Sequence, residues 1–333
     1  GSDSEIRRER VLLLANIDQP PFNNNLLPVV RAFERLTDLR LVQPVTLRGF
    51  VPTGAAAPAP VGPAAADGLG AFVPDSVVCV GGGLVASEEL HAVLPPGTVY
   101  VGIAFSDPLG LEASVAIAPR FDLFYTHDPL SVSSYRAAGI DIRECPLAID
   151  AEMFRPVAVP KTHDVIAVAK WTPYRDEALE RIAACARVAV HTHPGETRWS
   201  VPSSPTLNTP EELCAAISRA RLFLEFARVE SPAPLPGRPW RITQRAMFAA
   251  ACGVPALVED DPLLPRTFEP EAEIFPFRDL DHLEARVGDL LADPERLVQV
   301  GERARARTVA EHTWDRRAAA ILADVRAVRS GRL

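Results

Sequence analysis

The chain has 333 residues, a formal net charge of −8 at pH 7, 47% hydrophobic residues and 23% charged residues. That length suits two α/β domains of about 150 residues each better than a single core. The acidic balance argues against a nucleic-acid partner, which usually requires a basic face, and no apolar run approaches the roughly 20 residues that span a bilayer.

The cysteines and the N-terminus bear on the cellular compartment. The five cysteines are widely separated and mostly set in apolar segments such as Val77–Val80. That pattern is typical of reduced, buried thiols and not of a disulfide framework or a zinc site. Residues 1–4 lack the apolar core of a signal peptide. We therefore expect a cytoplasmic protein.

Five β-rich runs alternate with amphipathic stretches in the first half of the chain. The runs are 11–15, 39–42, 77–80, 99–103 and 123–125. Because strand–helix alternation is typical of parallel sheets with helices on both faces, we predict a doubly wound sheet. Between the second and third runs, the many prolines and alanines of 52–66 exclude a continuous helix and predict an exposed, mobile loop.

A proline-rich stretch separates these elements from a second alternating set. Prolines at 146, 156 and 160 precede a new strand at 164–169, so we place a domain boundary between residues 158 and 159. The later elements are strands at 188–190, 222–226 and 255–258 and helices at 175–186, 210–219, 241–252, 281–291, 294–309 and 314–328. We predict Rossmann-like domains over 1–158 and 159–312, and a C-terminal helix over 313–333 that could pack back on the first domain.

The helix predicted at 241–252 is the most informative element. It is closed by Gly253 and leads directly into a buried strand, so its N-terminal amides face the carboxyl edge of the sheet. Such a helix end favours a diphosphate, and Arg241 or Arg245 could add charge-assisted hydrogen bonds to phosphate oxygens. An ordinary βαβ crossover with two surface arginines is the alternative, and the spacing alone does not separate the two interpretations.

Two regions of the chain match the motifs of a known family. The family's pattern is, in order, R-x-F-E-A-x-A-x-G, a strand, E-x-x-x-F, a helical tail and H-T-x-x-x-R. The residues of this chain that fall on it are Arg245, Ala249, Ala251, Gly253, Glu273, His312, Thr313 and Arg317. Residues 121–128 and 146–156 look like the family's last N-domain strand and its passage into the second domain. Over about residues 120–325 the chain resembles bacterial GT-B glycosyltransferases of the spore-maturation (CgeB-like) group, relatives of glycosyltransferase group 1.

This resemblance implies a fold and an activity. The GT-B fold consists of two Rossmann-like domains whose parallel sheets face a central cleft, followed by a helical tail. The implied activity is metal-independent transfer of a hexose-like sugar from a nucleotide-diphosphate sugar to a small-molecule or glycan acceptor, with no cofactor beyond that co-substrate. The second domain would bind the donor. The residues that match the family's donor-binding positions, or lie next to them, are Arg175, Arg241, Thr243, Gln244, Arg245, Glu230 and Glu273.

One position departs from the family. The resemblance places at residue 248 a glutamate that accepts hydrogen bonds from the donor ribose, and this chain has Phe248. Either a neighbour such as Gln244, Glu225 or Glu230 supplies the acceptor, or the nucleotide is held differently; Phe248 could also simply pack in the core. A pseudo-glycosyltransferase, a sugar-nucleotide epimerase and a non-catalytic binding protein on the same fold therefore remain alternatives.

In the first domain, Asp107 and His127 each follow the end of a predicted strand. Both residues should lie at the carboxyl edge of the sheet, where α/β proteins bind ligands. His127 could act as a base on an acceptor hydroxyl or hydrogen-bond the transferred sugar, and Asp107 could do either as a carboxylate. Asp107 as a turn former before Pro108, and His127 as a structural histidine, are the alternatives.

Two groups of potential metal ligands lack a recognisable spacing. His191 and His193 share one face of a strand end, but no third ligand lies near them in sequence. The acidic residues of 259–261 follow a strand, and their offsets match no ligand motif. We therefore predict no required metal.

Overall fold

The computed structural model describes residues 7–15, 26–42, 59–61, 69, 71–81, 84–86, 88–192, 194–205, 207, 209–226 and 244–333. These residues divide into two compact units. The first contains the described residues up to 147 together with 314–333, and the second contains 148–313. The division falls at 147, eleven residues before the predicted boundary at 158, and Ile149 is tied within the second unit by a 2.9 Å hydrogen bond from its N–H to the His312 carbonyl.

The first unit is built on a six-stranded sheet in which every strand pair is parallel. The strands of the whole unit are β1 Arg10–Leu14, β2 Asp38–Val42, β3 Ala59–Val61, β4 Ser76–Val80, β5 Leu84–Ala86, β6 Val99–Ala104, β7 Leu123–Thr126 and β8 Ile142–Glu144. The sheet order is β2-β1-β4-β6-β7-β8, and β3 and β5 form a separate two-stranded sheet. Helices α1 Leu27–Leu36, α2 Glu88–Val93, α3 Leu111–Ile117 and α4 Val132–Ala137 belong to this unit.

The central strands of this sheet are mostly apolar and buried, as expected when helices cover both faces. All five residues of β4 are buried. Close packing also explains the glycine at 102 in β6, because a Cβ there would lie 2.5 Å from the ring of Phe124 on the neighbouring strand. The five runs predicted from the sequence are confirmed as strands of this sheet.

The prediction of a loop at 52–66 is wrong for three of these residues. Ala59–Val61 form β3, which pairs in parallel with Leu84–Ala86; the rest of 52–66 lies outside the described residues. Pro60 is compatible with this strand because both strands of a two-stranded sheet have one open edge, where the missing N–H is not required.

The second unit contains a second six-stranded parallel sheet, in the order β11-β10-β9-β12-β13-β14. Its strands are β9 His163–Val168, β10 Val188–Thr192, β11 Ser203–Pro205, β12 Ala220–Glu225, β13 Ala256–Glu259 and β14 Phe275–Phe277. Its helices are α5 Pro173–Ala183, α6 Pro210–Ser218, α7 Gln244–Ala251, α8 Leu280–Leu291 and α9 Pro294–Glu311. Two Rossmann-like parallel sheets are therefore confirmed.

The end of α7 is fixed by a glycine, as the sequence predicted. Gly253 has a φ of 72°, and the N–H groups of Gly253 and Val254 bond to the carbonyls of Ala250 and Ala249 at 2.9 and 3.0 Å. This is the left-handed helix ending that glycine favours. Gly301 of α9 packs directly on the Gly253 carbonyl, leaving no room for a Cβ.

The last helix, α10 (Trp314–Arg329), belongs to the first unit. Asp315 pairs with Arg35 of α1 at 2.7 Å, and Asp324 accepts a 2.6 Å hydrogen bond from the Tyr125 hydroxyl. Asp324 also pairs with Arg143 at 2.7 Å. Among the described residues, no helix is both long enough and apolar enough to cross a membrane.

Candidate functional site

Two arginine side chains bind backbone carbonyls at the carboxyl end of β9, the strand that lies between β10 and β12. Arg245 Nη1 donates a 2.7 Å hydrogen bond to the Val168 carbonyl, and Arg175 Nη1 donates a 3.1 Å hydrogen bond to the Lys170 carbonyl. These carbonyls are two residues apart in the chain. The two guanidinium groups predicted from the sequence to bind the donor are therefore anchored to one segment of backbone at the ligand-binding edge of the sheet.

The two arginines reach that edge from opposite faces of the sheet. Arg245 lies on α7, and its Nη2 is 3.4 Å from Glu225 Oε1. The guanidinium carbon of Arg175, on α5, lies 5.6 Å from the ring centroid of Phe226. Because successive side chains of an extended strand alternate, Glu225 and Phe226 point to opposite sides. The strand end is thus flanked by one guanidinium on each side.

Two charged side chains at this edge, Glu225 and Arg245, differ in their exposure to solvent. Glu225 is 1% exposed, whereas 32% of the Arg245 side chain is exposed. A ligand can therefore approach the arginine while the carboxylate behind it stays covered. Glu259, at the end of β13, is also buried and accepts a 2.6 Å hydrogen bond from the Tyr174 hydroxyl.

The remaining predicted donor residues divide into two groups. Gln244 donates a 2.5 Å hydrogen bond through Nε2 to the Ala148 carbonyl, and Glu273 accepts from the Glu269 N–H at 2.7 Å and pairs with Arg307 at 3.2 Å. Both side chains thus make contacts within the second unit, and these contacts are with residues other than Val168 and Lys170. Arg241, Thr243 and Glu230 lie outside the described residues.

Phe248 occupies the core of the second unit. It is 4% exposed, and its ring stacks on that of Phe154 with centroids 4.1 Å apart and planes at 12°. The alternative in which this phenylalanine packs in the core is confirmed. The place where the family resemblance puts a ribose-binding glutamate is therefore filled by a buried aromatic pair.

In the first unit, Asp107 joins the ends of β6 and β7. Its Oδ2 accepts hydrogen bonds from the Thr126 hydroxyl at 2.6 Å and the Tyr135 hydroxyl at 2.8 Å, and the residue is 0% exposed. Burial and the neighbouring Asp107 carboxylate raise the pKa of Tyr135, so that this hydroxyl remains a donor. This geometry favours Asp107 as a buried cross-link between strand ends over Asp107 as a base that meets an acceptor.

His127 lies at the same edge and is held in a defined orientation. Its Nε2 is 3.1 Å from the Phe105 carbonyl. Because a carbonyl only accepts, Nε2 carries the proton, and a neutral imidazole then has its lone pair on Nδ1. The next residue, Asp128, accepts a 2.5 Å hydrogen bond from the Ser131 hydroxyl, immediately before helix α4 begins at Val132.

The potential metal ligands are not assembled into a site in the part of the chain that the structure describes. No group of three or more His, Cys, Asp or Glu side chains with metal-binding geometry occurs there. His191 Nδ1 lies 3.4 Å from the Pro205 carbonyl, and burial lowers the pKa of His191. His193 lies outside the described residues.

Two six-stranded parallel sheets place this chain among the α/β proteins with two Rossmann-like sheets. Comparison with known proteins makes this class more specific. Residues 175–323 match the family described as Glycosyl transferase-like. A sucrose-phosphate synthase from Thermosynechococcus elongatus superposes with a TM-score of 0.68 at 13% identity, covering 97% of this chain and all (100%) of that one. No curated protein matches this chain.

Two further solved structures have the same architecture. Anabaena HepE, in complex with UDP and glucose, gives a TM-score of 0.62 at 12% identity, with 95% of this chain and 100% of that chain covered. AviGT4, a glycosyltransferase involved in avilamycin A biosynthesis, gives a TM-score of 0.63 at 15% identity, with 97% of this chain and 98% of that chain covered. The chain has the GT-B fold with its helical C-terminal tail, and its residues 175–323 match a family described as Glycosyl transferase-like.

Sequence reasoning missed several residues that shape these two edges. The carbonyls of Val168 and Lys170 carry no sequence signal, because every residue has one. Phe226 was assigned only to a strand, although an aromatic residue immediately after a strand end is a recognisable position for contact with a cation. Tyr135 is 28 residues from Asp107, and nothing in the spacing indicates their contact.

Proposed function

We propose that this protein transfers a sugar from a nucleotide-diphosphate sugar to a hydroxyl or amine of a small-molecule or glycan acceptor. The observation that carries the proposal is the pair of guanidinium groups, Arg175 and Arg245, anchored on two carbonyls at the end of β9. Solved GT-B structures of HepE contain UDP with glucose, or UDP-glucose. We propose that the diphosphate of the donor binds between the two arginines of this chain.

The chemistry of the reaction explains why two cations are placed there. When the bond from the sugar to the diphosphate breaks, negative charge develops on the leaving oxygen. Guanidinium groups form charge-assisted, bidentate hydrogen bonds to phosphate oxygens and stabilise that charge. The N-terminus of α7, next to Arg245, adds the positive end of a helix dipole. Fixed cations supply the stabilisation that a metal ion gives in other transferases, so we propose a metal-independent reaction without a cofactor.

In the first unit we propose that His127 acts on the acceptor. Because the Nε2–H of His127 donates a hydrogen bond to the Phe105 carbonyl, the lone pair on Nδ1 is the basic position of the ring. In an inverting reaction His127 would take the proton of the acceptor hydroxyl; in a retaining reaction it would position the sugar. Asp107 is then a positioning residue that fixes the strand ends around His127 through Thr126.

The finer assignments follow from the same resemblance. We propose a hexose as the transferred sugar, membership of the spore-maturation group and a cytoplasmic location. We also propose that Gln244, Glu273 and the undescribed Arg241, Thr243 and Glu230 contribute to the donor site. Substitution of each, with binding of the nucleoside diphosphate as the measurement, tests these residues individually.

A titration experiment tests the donor site directly. UDP, ADP and GDP are titrated calorimetrically into the protein, each beside its own nucleoside. Arg175→Ala and Arg245→Ala should each weaken diphosphate binding about tenfold to a hundredfold, because a hydrogen bond to a charged group contributes roughly 1.5–3 kcal/mol. Binding of the nucleoside should not change. Arg187→Ala is the matched control, since Arg187 is an exposed arginine of the same unit paired with Asp164.

The outcomes separate the parts of the proposal. If the wild-type protein binds no nucleoside diphosphate, the proposed function is wrong. If Arg245→Ala binds UDP as tightly as Arg187→Ala does, the diphosphate site is elsewhere. Transfer is then measured as release of nucleoside diphosphate from a panel of nucleotide sugars with and without candidate acceptors. His127→Ala should abolish acceptor-dependent release while leaving nucleotide binding intact.

The buried Phe248 favours one second candidate, a protein that binds a nucleotide sugar without turning it over. A stacked ring at that position cannot accept hydrogen bonds from a ribose. In the same assay, tight nucleotide binding with no release of diphosphate for any donor and acceptor pair would support this candidate over the transferase.

A further inference from the structure

Trp314, the first residue of α10, lies against Phe105 in the first unit. Trp314 is fully buried, and its ring centroid is 5.5 Å from that of Phe105 with the planes at 48°. Its indole N–H has no acceptor among the described residues. The contribution of Trp314 is therefore the packing of its ring and not a hydrogen bond.

Phe105 in turn contacts His127 through two of its groups. The Phe105 carbonyl accepts the hydrogen bond from His127 Nε2 at 3.1 Å, and its ring lies 6.3 Å from the imidazole at 29°. Phe105 immediately follows β6, beyond the last residue of the regular strand. Side-chain packing therefore contributes to the orientation of its peptide group.

The helix that carries Trp314 makes two polar contacts with the rest of the first unit. Asp315, the next residue, pairs with Arg35 of α1, and Asp324 binds Tyr125 of β7, two residues before His127. The helix that carries Trp314 is thus tied both to α1 and to β7, the strand that immediately precedes His127.

We propose that Trp314 is a positioning residue for His127, acting through Phe105. The indole holds the Phe105 ring, the ring fixes the direction of its carbonyl, and the carbonyl keeps the proton of the neutral imidazole on Nε2. Without the indole, the carbonyl turns and the proton distributes over both ring nitrogens. The effect on turnover rests on the proposed function, whereas the effect on the imidazole does not.

The test is the ¹⁵N spectrum of the His127 ring, which distinguishes a proton on Nε2 from one on Nδ1. In Trp314→Leu, we expect the neutral ring to change from the Nε2–H form to a mixture of the two forms. Trp314→Phe, which keeps an aromatic ring, should restore the wild-type pattern. Trp199→Leu is the matched control, because Trp199 is a buried tryptophan of the second unit whose indole N–H also has no acceptor among the described residues.

A second variant keeps the proposal testable if Trp314→Leu does not fold. Phe105→Leu keeps the carbonyl but removes the ring that Trp314 contacts, so it should produce the same mixture of ring forms. If a folded Trp314→Leu or Phe105→Leu protein shows the wild-type ¹⁵N pattern, the proposal is wrong.

Kinetics separate this proposal from the proposed function. Trp314→Leu should lower kcat by roughly tenfold to a hundredfold, as expected for a misplaced catalytic group, and leave KM for the donor within about twofold. If the ring forms change while kcat does not, the positioning stands and the role of His127 in transfer is wrong. If neither changes, the positioning itself is wrong.

Discussion

Replacing Phe248 by glutamate restores the residue that the family resemblance expects, and the structure predicts that it damages the protein. The phenyl ring is 4% exposed and stacks at 4.1 Å on Phe154, which is itself buried. Phe248→Glu therefore inserts a carboxylate between apolar groups of α7 and the segment that enters the second unit.

The decrease in the free energy of unfolding has two sources, the lost packing of the phenyl ring and the burial of a carboxyl group. Burial of a phenylalanine side chain contributes roughly 1.5–3 kcal/mol, and a stacked aromatic pair adds about 0.5–1.5 kcal/mol. Burial disfavours the ionised form of the new carboxyl group, and a pKa raised by about two units adds nearly 3 kcal/mol at neutral pH. We expect Phe248→Glu to lower the free energy of unfolding by about 5 kcal/mol, much of the total stability of a typical domain.

Urea denaturation followed by circular dichroism measures this change. Phe248→Leu is the control, because it keeps an apolar side chain and should cost only about 1–2 kcal/mol. The penalty of Phe248→Glu should shrink as the pH falls, since an acid whose pKa is raised on folding favours the folded state more strongly when protonated. If Phe248→Glu unfolds at the same urea concentration as wild type and binds UDP more tightly, residue 248 faces the donor and its place in the core is wrong.

Three further substitutions test other parts of the structure. Asp107→Asn should lower the free energy of unfolding by about 1–3 kcal/mol in thermal denaturation, because the charged oxygen that accepts from both Thr126 and Tyr135 is replaced by a neutral amide; unchanged stability with abolished transfer would instead indicate a catalytic base. Gly301→Ala should cost about 1–3 kcal/mol in urea, since its Cβ meets the Gly253 carbonyl, whereas Gly288→Ala, with open space around it, should not destabilise. His191→Gln should reduce the loss of stability between about pH 7.5 and pH 5.5: burial lowers the folded pKa of His191, so protonation of the unfolded chain favours unfolding below about pH 6.5.

The sequence predicted the fold well because long periodic segments determine it. Each predicted helix after residue 170 is present, and the ends of α6 and α8 fall within one residue of expectation. The strands that were missed, β3, β5, β8, β11 and β14, have three residues each. Three residues are too few to show an alternating or a continuous apolar pattern, so only the neighbouring strand defines them.

The candidate site could be predicted only in part. The position of Arg245 beside the sheet edge follows from the helix, the glycine that ends it and the strand after it. Its contact with Val168 does not, because a backbone carbonyl is invisible in a sequence. The burial of Asp107 depends on Tyr135, a partner that the folded chain alone brings into contact. Sequence thus indicated which residues reach the edges, but not which of them stay accessible.

The participation of α10 in the first unit has a consequence for biosynthesis. The second unit is continuous from 148 to 313, whereas the first unit includes a helix that follows the whole of the second. During translation, Arg35 and Tyr125 emerge long before Asp315 and Asp324, their partners on α10. Since domains fold as units while the chain is made, the unit that is synthesised first is completed last.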